Sequence, residues 1–498
     1  MSNVSPILIF NSLNTKRGGM TKATIHRANT LVENYTATSF LTILFQKNHE
    51  SIIKNLYSIG ELNQNVKVYN LFRDLDPSKD NSSDLRKRVT ADKEEEGFIA
   101  FNAKNAYRYY QDGFYVKYKK LDSNGGVSYI DYMNEARHRI RREEYNEEGY
   151  LVRERYMDLI TNTPKLDRYF GKNGECYLST WVNPKTEEVT RCTLFYPKPL
   201  EFKNLEDMAA HWIKLKVDEI DRPVLISDNP QNHNLLLDKR LAEFRKVIVI
   251  HTNHYDLTDS GFILSEQYNA LFKNKERYNN IVFLTEEQKE DFSLEFGSHQ
   301  GYKVIPHGIE APPNKKEEGE VHPHLAVTLA RYHKEKGIED GIRAFRKVVD
   351  RVPDAKYEIY GIGEHEQYFR DLIKKLNLEN NVMLKGFTDN KTEVFQKAAC
   401  SIMTSKSEGF GLSILESLAA GTPVVSYNIK YGPKDMIYDD KNGYLVKDID
   451  ELAEKVIYIM LEERKRKKLS KQTKSIFKNF GHENYKVKWR YLLEENMS

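Results

Sequence analysis

Two stretches of the chain alternate short apolar runs with helical patterns, and that alternation restricts each of them to a parallel sheet covered by helices. In the first, an apolar run at 7–10 precedes a helical pattern over 20–32, then come runs at 41–45 and 66–71 with a helix between them. The rhythm resumes after about residue 200, with a helix at 207–216 and strands at 224–227, 247–251, 281–284 and 304–306. The second stretch places strands at 324–330, 356–360, 382–385, 401–404 and 423–427, each followed by a helical pattern. Between the two, APPNKKEEGEVHP at 311–323 is polar and proline-containing and reads as a linker. Two α/β units joined in this way are expected to face a cleft at the carboxyl ends of their strands, where open α/β sheets bind ligands.

The first unit is interrupted. After Asp74 comes a charged, helix-like stretch at 82–101, and then polar/aromatic segments such as GFYVKYKKL and CYLSTWV, separated by turn signals DSNGG, NEEG, GKNG and NPKTEE. Their alternation and β-rich composition predict an antiparallel meander of hairpins. Of the 31 tyrosines, 13 lie between Phe101 and Leu200. Such rings suit binding of an acceptor chain, packing of a sheet face or an oligomer interface. The expected division is 1–75 with 205–310 for the first α/β domain, 76–204 for the insertion, 311–480 for the second α/β domain, and a C-terminal helix at 481–498 crossing back to the first.

At 498 residues the length suits about three domains. A net charge of +3 gives no ground for a nucleic-acid partner, and no apolar run reaches the roughly 18 residues of a membrane span. The opening MSNVSPILIFNSLN lacks a basic n-region, so a cytoplasmic protein is expected. Cys176, Cys192 and Cys400 show neither a disulfide framework nor a zinc spacing and read as packing residues. Asp74-Leu75-Asp76 spells an aspartate pair of the kind that binds metal, but it lies outside the strand-end pattern, and no metal site is expected. From 464 to 478 there are eight Lys/Arg and no acid, a face for an anionic polymer, an acidic membrane surface or plain solvation.

Several strand ends carry residues suited to a phosphorylated ligand. Gly18 and Gly19 sit where the first strand turns into its helix, a position that fits an anion at the helix N-terminus or a tight turn without a ligand. ARYHKEKG places Arg331 and Lys336 five residues apart on one loop, able to converge on a diphosphate or simply to be solvated. In SKSEGFGLSILESLAAGTPVV, Glu408 lies in a glycine-rich loop, Gly409 and Gly411 expose N–H groups, and Glu416 lies inside the helix that Leu412 opens. A helix carboxylate there suits ribose hydroxyls and a loop carboxylate suits a sugar; both also fit exposed surface.

Together GGM, ARYHKEKG, YGIGE, LKGF and EGFGLSILE resemble the retaining GT-B glycosyltransferases of family 4, and GGMTKATIHRA, VIHTNHYDLTDSG and NIKYGPKDMIYDDKNGYLV resemble the branch that glycosylates wall teichoic acid. The resemblance implies two Rossmann-like domains with a β-rich insertion in the N-terminal one. Arg331 and Lys336 would hold the nucleotide diphosphate in place of a divalent metal, and Gly18 and Gly19 would approach the same phosphates. Glu416 would bind the ribose and Lys385, Gly386 and Phe387 the uracil. Glu408 with the backbone of Gly409, Phe410, Gly411 and Leu412 would hold the donor sugar. His251 would contact that sugar near its anomeric centre, with His254 a second candidate. The implied reaction is retaining transfer of glucose or N-acetylglucosamine from a UDP-sugar to teichoic acid, with no metal requirement, in a homo-oligomer joined through the insertion and possible contact with the inner face of the membrane. The alternatives are transfer to serine-rich surface adhesins, or a non-catalytic scaffold that kept the shape.

Overall fold

A computed structural model describes residues 4–14, 18–35, 37–79, 88–258, 261–312 and 321–495. The chain divides into two compact units, residues 1–246 and 247–498.

In the first unit, Ser5–Phe10 is the central strand of a parallel ribbon, with Pro223–Ser227 on one side and Ser39–Thr42, then Lys67–Asn70, on the other. The central strand is buried at every residue, as expected of a strand covered on both faces. Leu8, Phe10, Ile25, Ala28, Phe40 and Leu56 form the core beneath the helices Gly19–Val32 and His49–Ser58. Arg27 is buried against Asp228 at 2.5 Å.

The meander is a ten-stranded antiparallel sheet whose spatial order follows the chain, from Ile99–Ala103 to Leu200–Phe202. Most of its tyrosines are spent inside it. Tyr132 and Tyr145 donate to the Glu143 carboxylate at 2.8 and 2.6 Å, while Arg142 lies 3.9 Å from the Tyr129 ring and forms a two-pronged bond to Asp131. Tyr169 packs on Phe45 and Phe72, and Tyr177 donates to the Phe72 carbonyl at 2.7 Å, mooring the sheet to the α/β layer. The edge strand differs: Ile99 and Phe101 are more than half exposed, and Phe114, at the start of the third strand in, is about half exposed. The charged helix expected at 82–101 is absent from the described part of that stretch, 88–101. Residues 82–87 lie outside the described residues, 88–98 are irregular, and Lys117 and Lys119, buried in the sheet, draw Glu95 of that segment onto it as an ion-pair partner. The aspartate pair points two ways: Asp74 receives Lys216 at 2.7 Å and the Trp212 indole, while Asp76 accepts from Ser78.

In the second unit, 247–249 pair in parallel with 280–282, and the strand Tyr302–Val304 follows. The expected strand at 247–251 ends at Val249, so His251 stands two residues beyond it. A hairpin, Tyr255–Thr258 with Gly261–Leu264, was not foreseen. The larger sheet has six parallel strands in the spatial order Val382–Gly386, Lys356–Tyr360, His322–Leu329, Ala398–Met403, Val424–Tyr427 and Gly443–Val446. Its first strand begins inside the expected linker, of which 313–320 lie outside the described residues. Numbered along the chain, this order is 3-2-1-4-5-6, which reverses between His322–Leu329 and Ala398–Met403. The C-terminal helix His482–Glu494 runs beside 303–310, with Lys303 paired to Glu495 at 2.6 Å and the Ile309 N–H donating to Phe480. Cys192 and Cys400 are buried and unpaired, as expected of packing residues. Among the described residues no helix is long and apolar enough to cross a membrane.

Candidate functional site

Ligands of open α/β sheets bind where strand order reverses, beyond the carboxyl ends of the two strands involved. Here the strand His322–Leu329 delivers Arg331 and Lys336, and Ala398–Met403 delivers the loop 404–411. The two loops are pressed together. Gly337 has φ +56° and its Cα lies so close to the Thr404 carbonyl that an added Cβ would sit 2.0 Å from the oxygen, so no side chain fits there. The Lys406 N–H donates to Glu335 at 2.9 Å.

This contact brings the first two candidate residues together. The Lys336 ammonium donates to Glu408 Oε1 at 2.5 Å, and the same oxygen accepts from Ser405 Oγ at 2.8 Å. Arg331, five residues before Lys336 on the same loop, is exposed, with no side-chain partner among the described residues. A free guanidinium and a tethered ammonium on one loop make a local positive field at the switch point.

Two segments, 430–431 and 251–253, hold the Glu408 loop in place. Its N–H donates to the Lys430 carbonyl at 3.2 Å, and its own carbonyl accepts from the Tyr431 N–H at 2.8 Å. Gly409 passes directly under the backbone of 251–252, where a Cβ would meet the His251 carbonyl at 2.0 Å. Asn253 donates to Ser407 Oγ at 3.0 Å. His251 is thereby seated on the Glu408 loop, its ring stacked on His307 at 5.2 Å.

Other candidate residues fall into separate places. Glu416, on the helix Leu412–Ala419, is paired with Lys391 at 2.6 Å, both partly exposed. Lys385 and Gly386 close the edge strand Val382–Gly386 and Phe387 follows it; Lys385 lies 3.4 Å from Glu358 and Phe387 is 46% exposed, an aromatic face open to a planar ring. Phe410 is buried between His307 and Phe480, so it shapes the loop from beneath and offers only its backbone to a ligand. Gly411 has φ +88° and caps the helix that Leu412 opens. In the first unit, Gly18 is the extended N-cap of Gly19–Val32 with open space around its Cα.

His254, the second histidine candidate, is fully buried. Its ring stacks on Tyr431 and packs against Phe292, and burial lowers its pKa to about 4, with Asp291 opposing and Lys430 adding to the shift. It is a neutral packing group at ordinary pH. Sequence reasoning missed the cluster it belongs to. Asp291, on the helix Glu286–Phe296, accepts from Lys430 Nζ and Tyr431 Oη, each at 2.7 Å. Burial favours its neutral form, but the hydrogen bonds and charge of Lys430 and Tyr431 hold its carboxyl below the usual range. Asp435 has no such donor: burial first, then Glu287, push it up to about 6 against the pull of Lys434. The clue available in the sequence was NIKYGPKDM, where cations and a tyrosine crowd one short segment.

Comparison with known proteins concerns the chain as a whole. A model for glycosyl transferases group 1 matches residues 312–476, and one for glycosyl transferase 1 domain A matches residues 7–194. The chain is 29% identical over 520 residues to the poly(glycerol-phosphate) alpha-glucosyltransferase of Bacillus subtilis (strain 168), covering 98% of this chain and 74% of that one. It is 25% identical over 494 residues to the poly(ribitol-phosphate) alpha-N-acetylglucosaminyltransferase of Staphylococcus aureus (strain COL), covering 97% and 98%. A crystal structure of a S. aureus TarM mutant in complex with fondaparinux, alpha-GlcNAc-glycerol and UDP superposes with a TM-score of 0.88 at 23% identity, covering 99% of this chain and all of that one. That likeness establishes the fold, two Rossmann-like domains with an antiparallel domain inserted in the first. Matched in both halves by glycosyl transferase models and over nearly its whole length by two polymer glycosyltransferases, the chain belongs to the group 1 GT-B glycosyltransferases, in the branch of the teichoic acid enzymes.

Proposed function

We propose that this enzyme transfers glucose or N-acetylglucosamine from a UDP-sugar to hydroxyls of a wall teichoic acid polymer with retention of the anomeric configuration. The observation that supports the donor half is the meeting of Lys336 and Glu408 at the reversal of strand order, on loops of which one also carries the exposed Arg331. Arg331 and Lys336 hold the diphosphate and offset charge on the departing UDP, a task that otherwise falls to a divalent cation. Glu408 and the N–H groups of 409–412 hold the donor sugar, and His251 reaches it near the anomeric carbon. Glu416 turns from Lys391 to the ribose hydroxyls, and Phe387 stacks on uracil beside Lys385 and Gly386. Gly18 and Gly19 offer an anion their own helix start. No carboxylate is assigned as nucleophile; the leaving phosphate takes the proton from the acceptor hydroxyl on the same face.

The acceptor half rests on the similarity to the two polyol-phosphate enzymes. Domain roles follow the sequence division: 1–75 with 205–310 on the acceptor side, 311–480 on the donor side, 481–498 as the returning helix, and 76–204 as the self-association domain. The exposed Ile99 and Phe101 on the meander's edge strand support that last role. A side-by-side assay on polyribitol phosphate, polyglycerol phosphate and a Ser-Asp repeat peptide tests the acceptor. Transfer to a polyol phosphate is expected; transfer confined to the peptide would overturn the reading.

A further inference from the structure

We propose that the outward face of residues 464–478 is a track along which the polyol-phosphate acceptor lies on its way to the Glu408 loop. The proposal rests on the acceptor reading above. The segment is nearly continuous helix, Glu463–Gln472, Thr473–Ile476 and Phe477–Phe480. Leu469, Thr473, Ile476 and Phe480 are buried and fix its inner face, whereas Arg464, Lys467, Lys468, Lys471, Lys474 and Lys478 are all exposed. At about 100° per residue those six fall within an arc of roughly 120°, and at about 1.5 Å per residue the row is about 21 Å long.

The row differs from an ordinary solvated helix. On Ile338–Arg351 the surface cations are neutralised within the helix, Arg343 by Glu339 and Arg346 by Asp350. Here Lys467 meets Glu463, Lys465 meets Asp440, and Arg466 is spent on the Ile459 and Met460 carbonyls. The side chains of Arg464, Lys468, Lys471, Lys474 and Lys478 have no hydrogen-bond or ion-pair partner among the described residues. Like charges spaced i, i+4 repel and weaken a helix, so an anion laid along the row relieves a cost built into it. A chain with one phosphate per polyol unit presents such anions in a line.

Two observations favour a polymer over a membrane surface. Helices that lie on lipid pair their cations with an apolar face open to the acyl boundary, whereas no apolar side chain between 464 and 478 is exposed, and the inner face is closed against protein. The row also leads to the site: two residues beyond Lys478, the Phe480 ring packs 5.8 Å from Phe410, which stands two residues after Glu408.

The test compares the wild type with K468Q/K471Q/K474Q/K478Q, measuring kcat/KM on polyglycerol phosphate relative to kcat/KM on glycerol 3-phosphate. The ratio is expected to fall roughly tenfold at low salt, with the difference shrinking as salt is raised. An unchanged ratio would overturn the proposal. So would loss of binding to phosphatidylglycerol vesicles in the variant with the polymer ratio intact, an outcome that assigns the row to the membrane. If the wild type transfers sugar to neither acceptor, the acceptor reading fails by itself. Binding of fluorescently labelled polyglycerol phosphate then decides the track, with equal binding by both proteins counting against it and loss in the variant supporting it.

Discussion

Lys336 and Glu408 stand 72 residues apart in the chain and 2.5 Å apart in space, joined through loops that follow the two strands flanking the reversal in sheet order. The pair is a stored charge arrangement. Without a ligand the Glu408 carboxylate holds the ammonium and also accepts from Ser405; on the donor role proposed above, a diphosphate beside Arg331 would compete for the ammonium and free Glu408 to meet a sugar.

Replacement of Lys336 by alanine is therefore expected to lower kcat on the order of 10²- to 10³-fold, the effect of removing one preorganised electrostatic donor. Glu408→Ala is expected to lose a similar factor. Both side chains are partly exposed, so melting temperatures should move by only a few degrees. Steady-state kinetics with thermal melts checks this, and near-normal kcat in either variant would remove the pair from the mechanism.

Glu416 gives a different signature. In the proposed role its contact with the ribose would be made equally before and during reaction, so Glu416→Gln should raise KM for the UDP-sugar by roughly tenfold and leave kcat within about twofold. Measured donor saturation curves decide it, and a fall in kcat at unchanged KM would refute the ribose assignment.

Asp291 acts at one remove. It anchors Lys430 and Tyr431, whose backbone brackets Glu408, so Asp291→Asn should weaken the bracket and reduce kcat about tenfold while donor KM changes less. Tyr431→Phe removes one of the two bonds to Asp291 and should fall between the wild type and Asp291→Asn. Equal kcat in all three proteins would show that the cluster serves stability alone.

Asp435 predicts a pH effect on stability. Its ordinary pKa of 3.8 is pushed up to about 6 in the fold. Between those values the native state keeps a proton that the unfolded chain has released, so stability falls as pH rises through the window, and the full loss is present above it. Asp435→Asn should stabilise the protein at pH 7.5 by about 1–2 kcal/mol and give no gain near pH 4. Urea denaturation at the two pH values measures the difference; a stabilisation independent of pH would refute the cause.

Much of this arrangement was legible from sequence because it is local. Period and turn chemistry located the parallel strands, the meander and the helix beginning at Leu412, and loop glycines marked where backbones approach. What escaped notice depends on long-range contact. Asp291 and Tyr431 are 140 residues apart and meet only in the fold. Lys391, the partner of Glu416, lies on a separate short helix. His254 looked like a site residue because a strand-end histidine carries no mark of burial, and the stretch at 88–98 looked helical because its charges gave no sign that they would be drawn to Lys117 and Lys119. The tyrosines were visible as a concentration, but their use in internal networks such as Tyr132 and Tyr145 on Glu143 required the sheet.

The central claim is sugar transfer from a UDP-sugar to a polyol-phosphate chain, and polymer-dependent UDP release measures it most directly. The protein is incubated with UDP-glucose and, separately, with UDP-N-acetylglucosamine, with and without polyglycerol or polyribitol phosphate, in the presence of EDTA. The expected result is UDP release from at least one donor that rises with added polymer, withstands EDTA and yields an α-linked sugar on the chain. Release from neither donor in the presence of either polymer would contradict it.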